Sequence, residues 1–403
     1  MSGRFAALVL IVTGVLGQAP ASAQQRADLP AATADAQDSS GVSNGFVAKM
    51  RRIAKETQIL ERLNGDVDGW YPRLGGMTTG SGFALGPGYR THLLSDSIFV
   101  DLSAGISKRN YRAADLKVEW LQSRYRRVEL WTNFRYQDFP QEDFYGLGVD
   151  SNIDARTNYA LTSKDVSARG VFHARPWLRA GGEIGYFMPD IGRGTDRRFP
   201  STELVFDDAA APGLVNQPNF LRTTVFTEVD YRDQPGNPRL GGFYRLSFAN
   251  WDDRSLQQFD FHRFDGEAAQ FFPVISRAHV IAARAGFAYV NNTTGHRVPF
   301  YFLPYIGGSD TVRGYREFRF ADENALWLNT EYRWHATKWV GVALFFDAGE
   351  VRSDWEAIDL HDLRTSYGFG LRVNSDKTVF ARLDFGFGGG EGRQIFFKLG
   401  PSF

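Results

Sequence analysis

From about residue 70 onward the chain is written in period two. Over residues 326–334, Leu326, Leu328, Thr330, Tyr332 and Trp334 fall on one face of an extended strand, with Asn329, Glu331 and Arg333 on the other. The next segment repeats the pattern: Val340, Val342, Leu344 and Phe346 lie opposite Gly341, Ala343, Phe345, Asp347 and Gly349. Then Tyr367, Phe369, Leu371 and Val373 oppose Gly368, Gly370 and Arg372, and Val379, Ala381, Leu383, Phe385 and Phe387 oppose Arg382 and Asp384. Successive side chains of a strand point to opposite faces, so each segment presents one apolar face and one face that carries the charge. A β-sandwich also alternates, but it turns its polar face outward over a closed apolar core and rarely repeats long strands this rich in aromatic rings. A lipid-facing barrel with a polar lumen fits the pattern better.

Counting back from the C-terminus gives fifteen candidate strands, near 393–402, 378–388, 363–373, 339–349, 323–335, 278–290, 257–272, 241–250, 220–232, 177–188, 164–175, 127–137, 113–122, 97–106 and 78–86. Tight connections at 335–338 and 374–377 alternate with long ones at 189–219, 291–322 and 350–362. Short turns on one side and long loops on the other, with an even strand number, are the plan of a single-chain bacterial barrel. Parity asks for one more strand near 66–76, where the pattern is irregular. The expectation is an all-β fold: a transmembrane antiparallel β-barrel of sixteen strands over residues 70–403, with fourteen as the alternative.

The segment before the barrel has its own grammar. Arg4, the mostly apolar run 5–16 and the small residues Ala21, Ser22 and Ala23 make residues 1–23 a signal peptide cleaved on export. The apolar run is far shorter than the ~20 residues a membrane-spanning helix needs. Residues 24–45, rich in Ala, Ser, Asp and Gln, read as a flexible leader. Within residues 46–69, Phe46, Met50, Ile53, Ile59, Leu60 and Leu63 recur at helical spacing among Lys49, Arg51, Arg52, Lys55 and Arg62, which predicts a short periplasmic amphipathic helix followed by a linker. Such a helix could lie across the barrel mouth, plug the lumen or touch the membrane surface.

Composition narrows the chemistry. The 46 basic residues cancel the 46 acidic ones, so no whole-molecule charge points to nucleic acid as a partner. Cysteine is absent, which removes disulfides, thiolate metal sites, cysteine nucleophiles and a lipoprotein anchor. The seven histidines, at 92, 173, 262, 279, 296, 335 and 361, form no metal-ligand spacing. The glycine run at 386–392 lacks the lysine of a phosphate loop and reads as a hairpin turn. Carboxylates such as Glu228, Asp230, Glu331 and Asp384 are interleaved with Arg222, Arg232, Arg333, Arg372 and Arg382, a charge-balanced lumen rather than an acid/base pair. The expectation is a protein that is not an enzyme, with no metal and no cofactor.

Two further signals sharpen the fold into a family. Ile395, Phe397, Leu399 and Phe403 alternate with Phe396, Lys398, Gly400 and Ser402, so the chain is expected to end inside a strand on an aromatic residue. This resembles the C-terminal signal that outer-membrane assembly machinery recognises in barrels. The long loop at 291–322 contains Val312, Arg313, Gly314 and Tyr315, and the second strand after it carries Phe345, Asp347 and Gly349 in a Phe-x-Asp-x-Gly pattern. The ordered pair resembles the two motifs of the BamA/TamA superfamily of outer-membrane assembly and translocation barrels, also called the bacterial surface antigen family, and the resemblance covers residues 70–403. It implies that the loop folds into the lumen and that Arg313 meets Asp347. Alternation independently places Asp347 on the polar face, where a charge-assisted bidentate pair is possible. Gly314 would then admit a close backbone approach, and Tyr315 could pack beside the guanidinium.

The resemblance implies an outer-membrane location, contact with outer-membrane lipid, and help in inserting or exporting a protein or lipid client. Residues 24–69 are too short for the periplasmic repeat domains through which members of that family receive clients, so a separately encoded periplasmic partner is one way to supply them. A passive pore or structural barrel is the alternative, and an adhesin displaying the 189–219 loop is a third reading with less behind it.

Overall fold

The computed structural model describes residues 68–78, 80–121 and 127–403, which make up the barrel. The expected signal peptide, leader and amphipathic helix lie outside the described residues.

Sixteen strands form one antiparallel sheet in chain order. They are β1 (Gly69–Gly75), β2 (Ala84–Leu93), β3 (Ile98–Ser107), β4 (Arg112–Trp120), β5 (Val128–Phe144), β6 (Thr157–Arg175), β7 (Leu178–Arg193), β8 (Phe220–Asp230), β9 (Gly241–Asp253), β10 (Phe261–Pro273) and β11 (His279–Asn292). After a long loop come β14 (Asn324–Trp334), β15 (Val340–Arg352), β16 (Arg364–Asn374), β17 (Val379–Phe387) and β18 (Gln394–Leu399). The loop itself carries a two-residue hairpin, β12 (Tyr305–Ile306) with β13 (Phe320–Ala321).

The period-two sequence becomes a two-faced wall. On β15, Val340, Leu344 and Phe346 are exposed while Gly341, Ala343, Phe345 and Asp347 are buried. Tyr367, Phe369, Leu371 and Val373 do the same on β16, with Ser366 and Arg372 turned inward. Lipid is the only surrounding in which such a large apolar exterior is stable. Exposed Trp70, Trp120, Trp177, Trp334 and Trp339 all lie at or beside the short connections. An amphipathic ring prefers a membrane–water boundary, so these residues mark one edge of the lipid-facing band. At 17, 19 and 16 residues, β5, β6 and β7 exceed the roughly ten residues a bilayer requires. Their surplus stands on the long-loop side, where Phe144, Tyr159, Phe220, Trp251, Phe261 and Val290 pack with Leu214, Phe300 and Leu303 of two long loops into one buried cluster. That end of the barrel therefore carries a packed apolar cluster.

The second strand differs from its expected position. β1 (Gly69–Gly75) falls within the irregular segment near 66–76 where parity asks for a strand, while the strand expected at 78–86 lies at Ala84–Leu93. Gly80 and Gly82 adopt φ of +86° and +78°, which breaks the expected strand before it starts. The true strand carries Gly86, Pro87 and Gly88, residues that normally mark a turn. Its ladder to β3 skips residues 86 and 87, so the missing Pro87 N–H is accommodated by a gap in the pairing.

At the other end, β18 stops at Leu399 instead of running to Phe403. Gly400 has φ of +97° and Pro401 follows, so the last residues leave the wall. On the short-turn side, the connection 231–240 reaches the turn between β16 and β17: Val379 N donates to Gly236 O at 3.0 Å, Asn237 Nδ2 to Ser375 O at 2.8 Å, and Arg239 pairs with Asp376 at 3.1 Å. No ladder joins β1 to β18 among the described residues. The two edges nevertheless meet, since a Cβ on Gly75 would sit 3.3 Å from Leu399 Cδ1.

Candidate functional site: a docked loop beside an unpaired seam

The register of β14 against β15 and β16 decides where the site forms. It sets Asn329 opposite Asp347 and Asp347 opposite Ser366, all facing inward. Glu331 lies two residues along β14 on the same face, and Arg372, Arg382 and Asp384 continue the charged surface on β16 and β17. Onto this wall folds the loop between β11 and β14. Gly307 and Gly308, at φ of +111° and +85°, turn it, and Thr311 closes the bend by bonding its hydroxyl to both the N–H and the carbonyl of Gly307 at 2.9 and 2.8 Å. Val312, Ile306, Tyr315 and Phe320 then pack with Val149, Ala325 and Val351.

This apolar footing presents Arg313 to the wall. Its Nε and Nη2 donate to the two oxygens of Asp347 at 2.8 and 2.7 Å, and its backbone N–H adds a third bond to Asp347 at 3.1 Å. Nη1 donates to Glu331. Asn329 Nδ2 bridges Asp347 at 2.9 Å and the Thr311 carbonyl at 2.5 Å. The guanidinium carbon lies 3.6 Å from the centroid of the Phe345 ring, a contact that solvates one flat face while the edges make hydrogen bonds. Arg313, Asp347 and Glu331 are almost wholly buried. Ions taken from water to this degree are tolerable only because each finds several partners.

The neighbouring charges extend the pairing. Arg333 donates to Glu331 at 2.7 Å, and Arg372 donates to Asp384 at 2.5 Å while lying 3.6 Å from Glu331. Asp310 on the loop receives Arg382 at 3.0 Å and Lys398 at 2.7 Å, and its carbonyl accepts from Arg284 at 2.7 Å. Arg313, Arg333, Arg372, Arg382 and Lys398 therefore face Asp310, Glu331, Asp347 and Asp384, five cations against four carboxylates. The loop is also tied above: Arg319 pairs with Glu391 and donates to the hydroxyl and carbonyl of Ser151 at 2.9 and 2.8 Å.

Each residue singled out in the sequence has a definite place. Gly314 and Gly349 both serve close approach: a Cβ on Gly314 would run into the Ser366 side chain and lie 2.9 Å from the Phe387 carbonyl, and one on Gly349 would lie 3.0 Å from Val312 Cγ2. Tyr315 differs from expectation. It packs edge-on against Phe320, with centroids 5.3 Å apart, and the ring on the guanidinium is that of Phe345. Phe397 and Leu399 face outward on β18, but Phe403 does not share their side. It turns inward beside Phe271, with ring centroids 6.1 Å apart. The roles of Asp310, Asn329, Arg319 and Glu391 were not legible, because alternation shows which face a charge occupies and not which partner it meets. Among the described residues no group of His, Cys, Asp and Glu is arranged to hold a metal ion.

Comparison with known proteins agrees with this architecture. Residues 205–403 match the Omp85 superfamily domain. The chain is similar to BamA from Haemophilus ducreyi lacking POTRA domains 1–3, at 17% identity and a TM-score of 0.60, over 83% of this chain and 70% of that one. It is also similar to CdiB from Escherichia coli, at 14% identity and a TM-score of 0.53, over 81% of this chain and 61% of that one. At these identities the likeness is one of fold. No curated protein sequence matches the chain. Because the matched domain contains the whole of the Arg313 loop, its ion pairs and the strands that carry them, this outer-membrane-type β-barrel carries an Omp85 superfamily domain over residues 205–403.

Proposed function

We propose that this barrel assists the insertion or export of a protein client, or a lipid one, at the outer membrane. The observation that carries the reading is the seam. β1 and β18 touch but share no ladder among the described residues, so each offers a row of backbone donors and acceptors to an incoming strand. A purely structural barrel gains stability by pairing every edge, whereas an edge left open is an interaction surface. The Arg313 dock stands beside this seam and braces it from inside through Asp310, which holds both Arg382 of β17 and Lys398 of β18. The likeness in fold to BamA and CdiB agrees with such a role. Partners of this kind of activity are outer-membrane lipid, an unfolded client and a separately encoded periplasmic protein that delivers it.

The test exploits the absence of native cysteine. Leu74 and Leu399 are exposed on β1 and β18 next to the point of contact. Cells depleted of the protein are rescued with wild type or with a Leu74→Cys, Leu399→Cys variant joined by a short bismaleimide. The outer-membrane and secreted proteomes are then compared. Loss of one protein set that wild type and the untreated variant restore, and the cross-linked variant does not, supports insertion or export through the seam. An unchanged proteome on depletion moves the assignment to a structural barrel.

A further inference from the structure

The lumen holds a second built site, unrelated to the loop motif in sequence. Ser402 Oγ donates to Glu331 Oε2 at 3.0 Å and accepts from Arg333 Nη2 at 2.9 Å. Phe403 joins Ala269, Phe271, Val280, Ala282 and Phe243 in an apolar cluster. Two guanidiniums cover its ring, with Arg333 at 4.7 Å and Arg284 at 5.7 Å from the centroid. The residues that form this cradle come from β9, β10, β11 and β14, none of which is adjacent to β18 in the sheet. The tail therefore leaves its own strand and is received across the lumen.

Apolar burial alone does not select this position, because lipid would have taken the Phe403 ring had β18 simply continued. What the lumen adds is specific: a hydroxyl bonded to a buried carboxylate and its arginine, and an aromatic ring between cations. Glu331 is also the carboxylate that accepts from Arg313. We propose that this cradle is a binding site for a hydroxyl residue followed by an aromatic one, filled here by Ser402 and Phe403, and that its occupant latches the docked loop. When the tail is seated, Ser402 and Arg333 fix the Glu331 carboxylate in the orientation that Arg313 needs. When it leaves, Arg333 loses a partner and Glu331 is free to turn from the loop. Ser402 and Phe403 thereby hold both the end of β18 and the loop behind it.

The experiment is amide hydrogen exchange on the protein refolded in detergent, read at the Arg313 and Tyr315 amides, which bond Asp347 at 3.1 Å and the Val312 carbonyl at 3.2 Å in the docked loop. Phe403→Ala, Ser402→Ala and a chain ending at Gly400 are compared with wild type. The expected result is exchange at least about tenfold faster at both amides in Phe403→Ala and in the shortened chain, with unchanged rates in β6 and β7. The free peptide Leu-Gly-Pro-Ser-Phe, added at millimolar concentration to the shortened chain, restores protection, and the same peptide ending in Ala does not. Wild-type protection in a folded tail variant overturns the proposal, as does equal rescue by both peptides. If the shortened chain fails to fold, the two point variants keep the full backbone and decide the matter. No client enters these measurements, so their failure leaves the seam reading standing, and a failed depletion experiment leaves the latch intact.

Discussion

Glu331 is fully buried and answers to three parts of the chain: Arg313 of the loop, Arg333 of its own strand and Ser402 of the tail. Removing a partner from such a node leaves a stranded charge, and that loss exceeds the value of the bond itself. Arg313→Ala strands Asp347 and takes a partner from Glu331, and is expected to weaken loop docking by about 3–5 kcal/mol, measured as exchange at the loop amides. Asp347→Ala is milder, because Arg313 retains Glu331. The double variant is no worse than Arg313→Ala, since the second change removes the charge that the first left unpaired. Additive losses in that cycle would show that the two residues do not act together. Arg313→Lys keeps the charge but cannot span two carboxylates, so it falls between.

A histidine at the short-turn rim supplies the residue-scale response to pH. His335 lies beyond the end of β14, with Nδ1 3.2 Å from Asn374 Nδ2, and faces Arg239, Arg333, Asp376 and His279. Burial, with Arg239 and Arg333 adding to it, lowers its pKa to about 4. Over the interval from the ordinary value of 6.5 down to 4, the unfolded chain takes up a proton that the folded one refuses. Its contribution to stability is therefore complete above pH 6.5, declines as the pH falls to 4 and is gone below. Thermal unfolding in detergent across this range should lose its steepest pH dependence in His335→Gln. An unchanged slope in that variant would assign the dependence to other groups.

At the scale of the element, strands were legible wherever one face meets lipid and the other meets charge. From β3 to β18 the observed barrel strands overlap those expected from alternation, because a one-residue slip would turn every charge toward the membrane. β1 is placed by strand parity rather than by alternation, and the pattern fails at β2, where Gly86, Pro87 and Gly88 imitate a turn inside a real strand. It fails again at the chain end, where Ser402 and Phe403 continue the alternation on paper but follow a backbone that Gly400 and Pro401 have redirected. For the dock, the sequence motif brought Arg313 and Asp347 together. The choice of Phe345 over Tyr315 as the ring beneath the guanidinium depends on register between β15 and the loop, which no local pattern encodes. Loop-to-wall packing is testable at Gly314. Gly314→Ala places a methyl against Ser366 and is expected to undock the loop by about 1–3 kcal/mol while leaving the barrel folded. Adding Ser366→Gly should recover part of the loss, and no recovery would mean that the Phe387 carbonyl is the harder obstacle.

For the whole molecule, bracing is uneven. The loop and tail tie β9–β11 and β14–β18 together through the lumen, whereas β1–β4 are held by pairs between close strands, such as Arg90 with Asp101 and Arg135 with Asp115. Local opening follows the density of buried contacts. Hydrogen exchange should therefore be slowest in β14–β17 and fastest in β1 and β2. Uniform protection around the ring would imply that the seam is sealed by something other than the contacts described. Because the Arg313 loop is docked on inward-facing residues, ion conductance of the reconstituted wild type should be small beside that of Arg313→Ala.

The dock also has a meaning in time. Its ionic partners extend to Lys398, and the latch needs residues 402 and 403, so neither forms until β18 and the residues after it are in place. A barrel in which β1–β17 have paired and β18 has not is expected to carry an undocked loop that an added protease can reach. Loop closure thus comes late in the building of the barrel, after the wall that receives the loop.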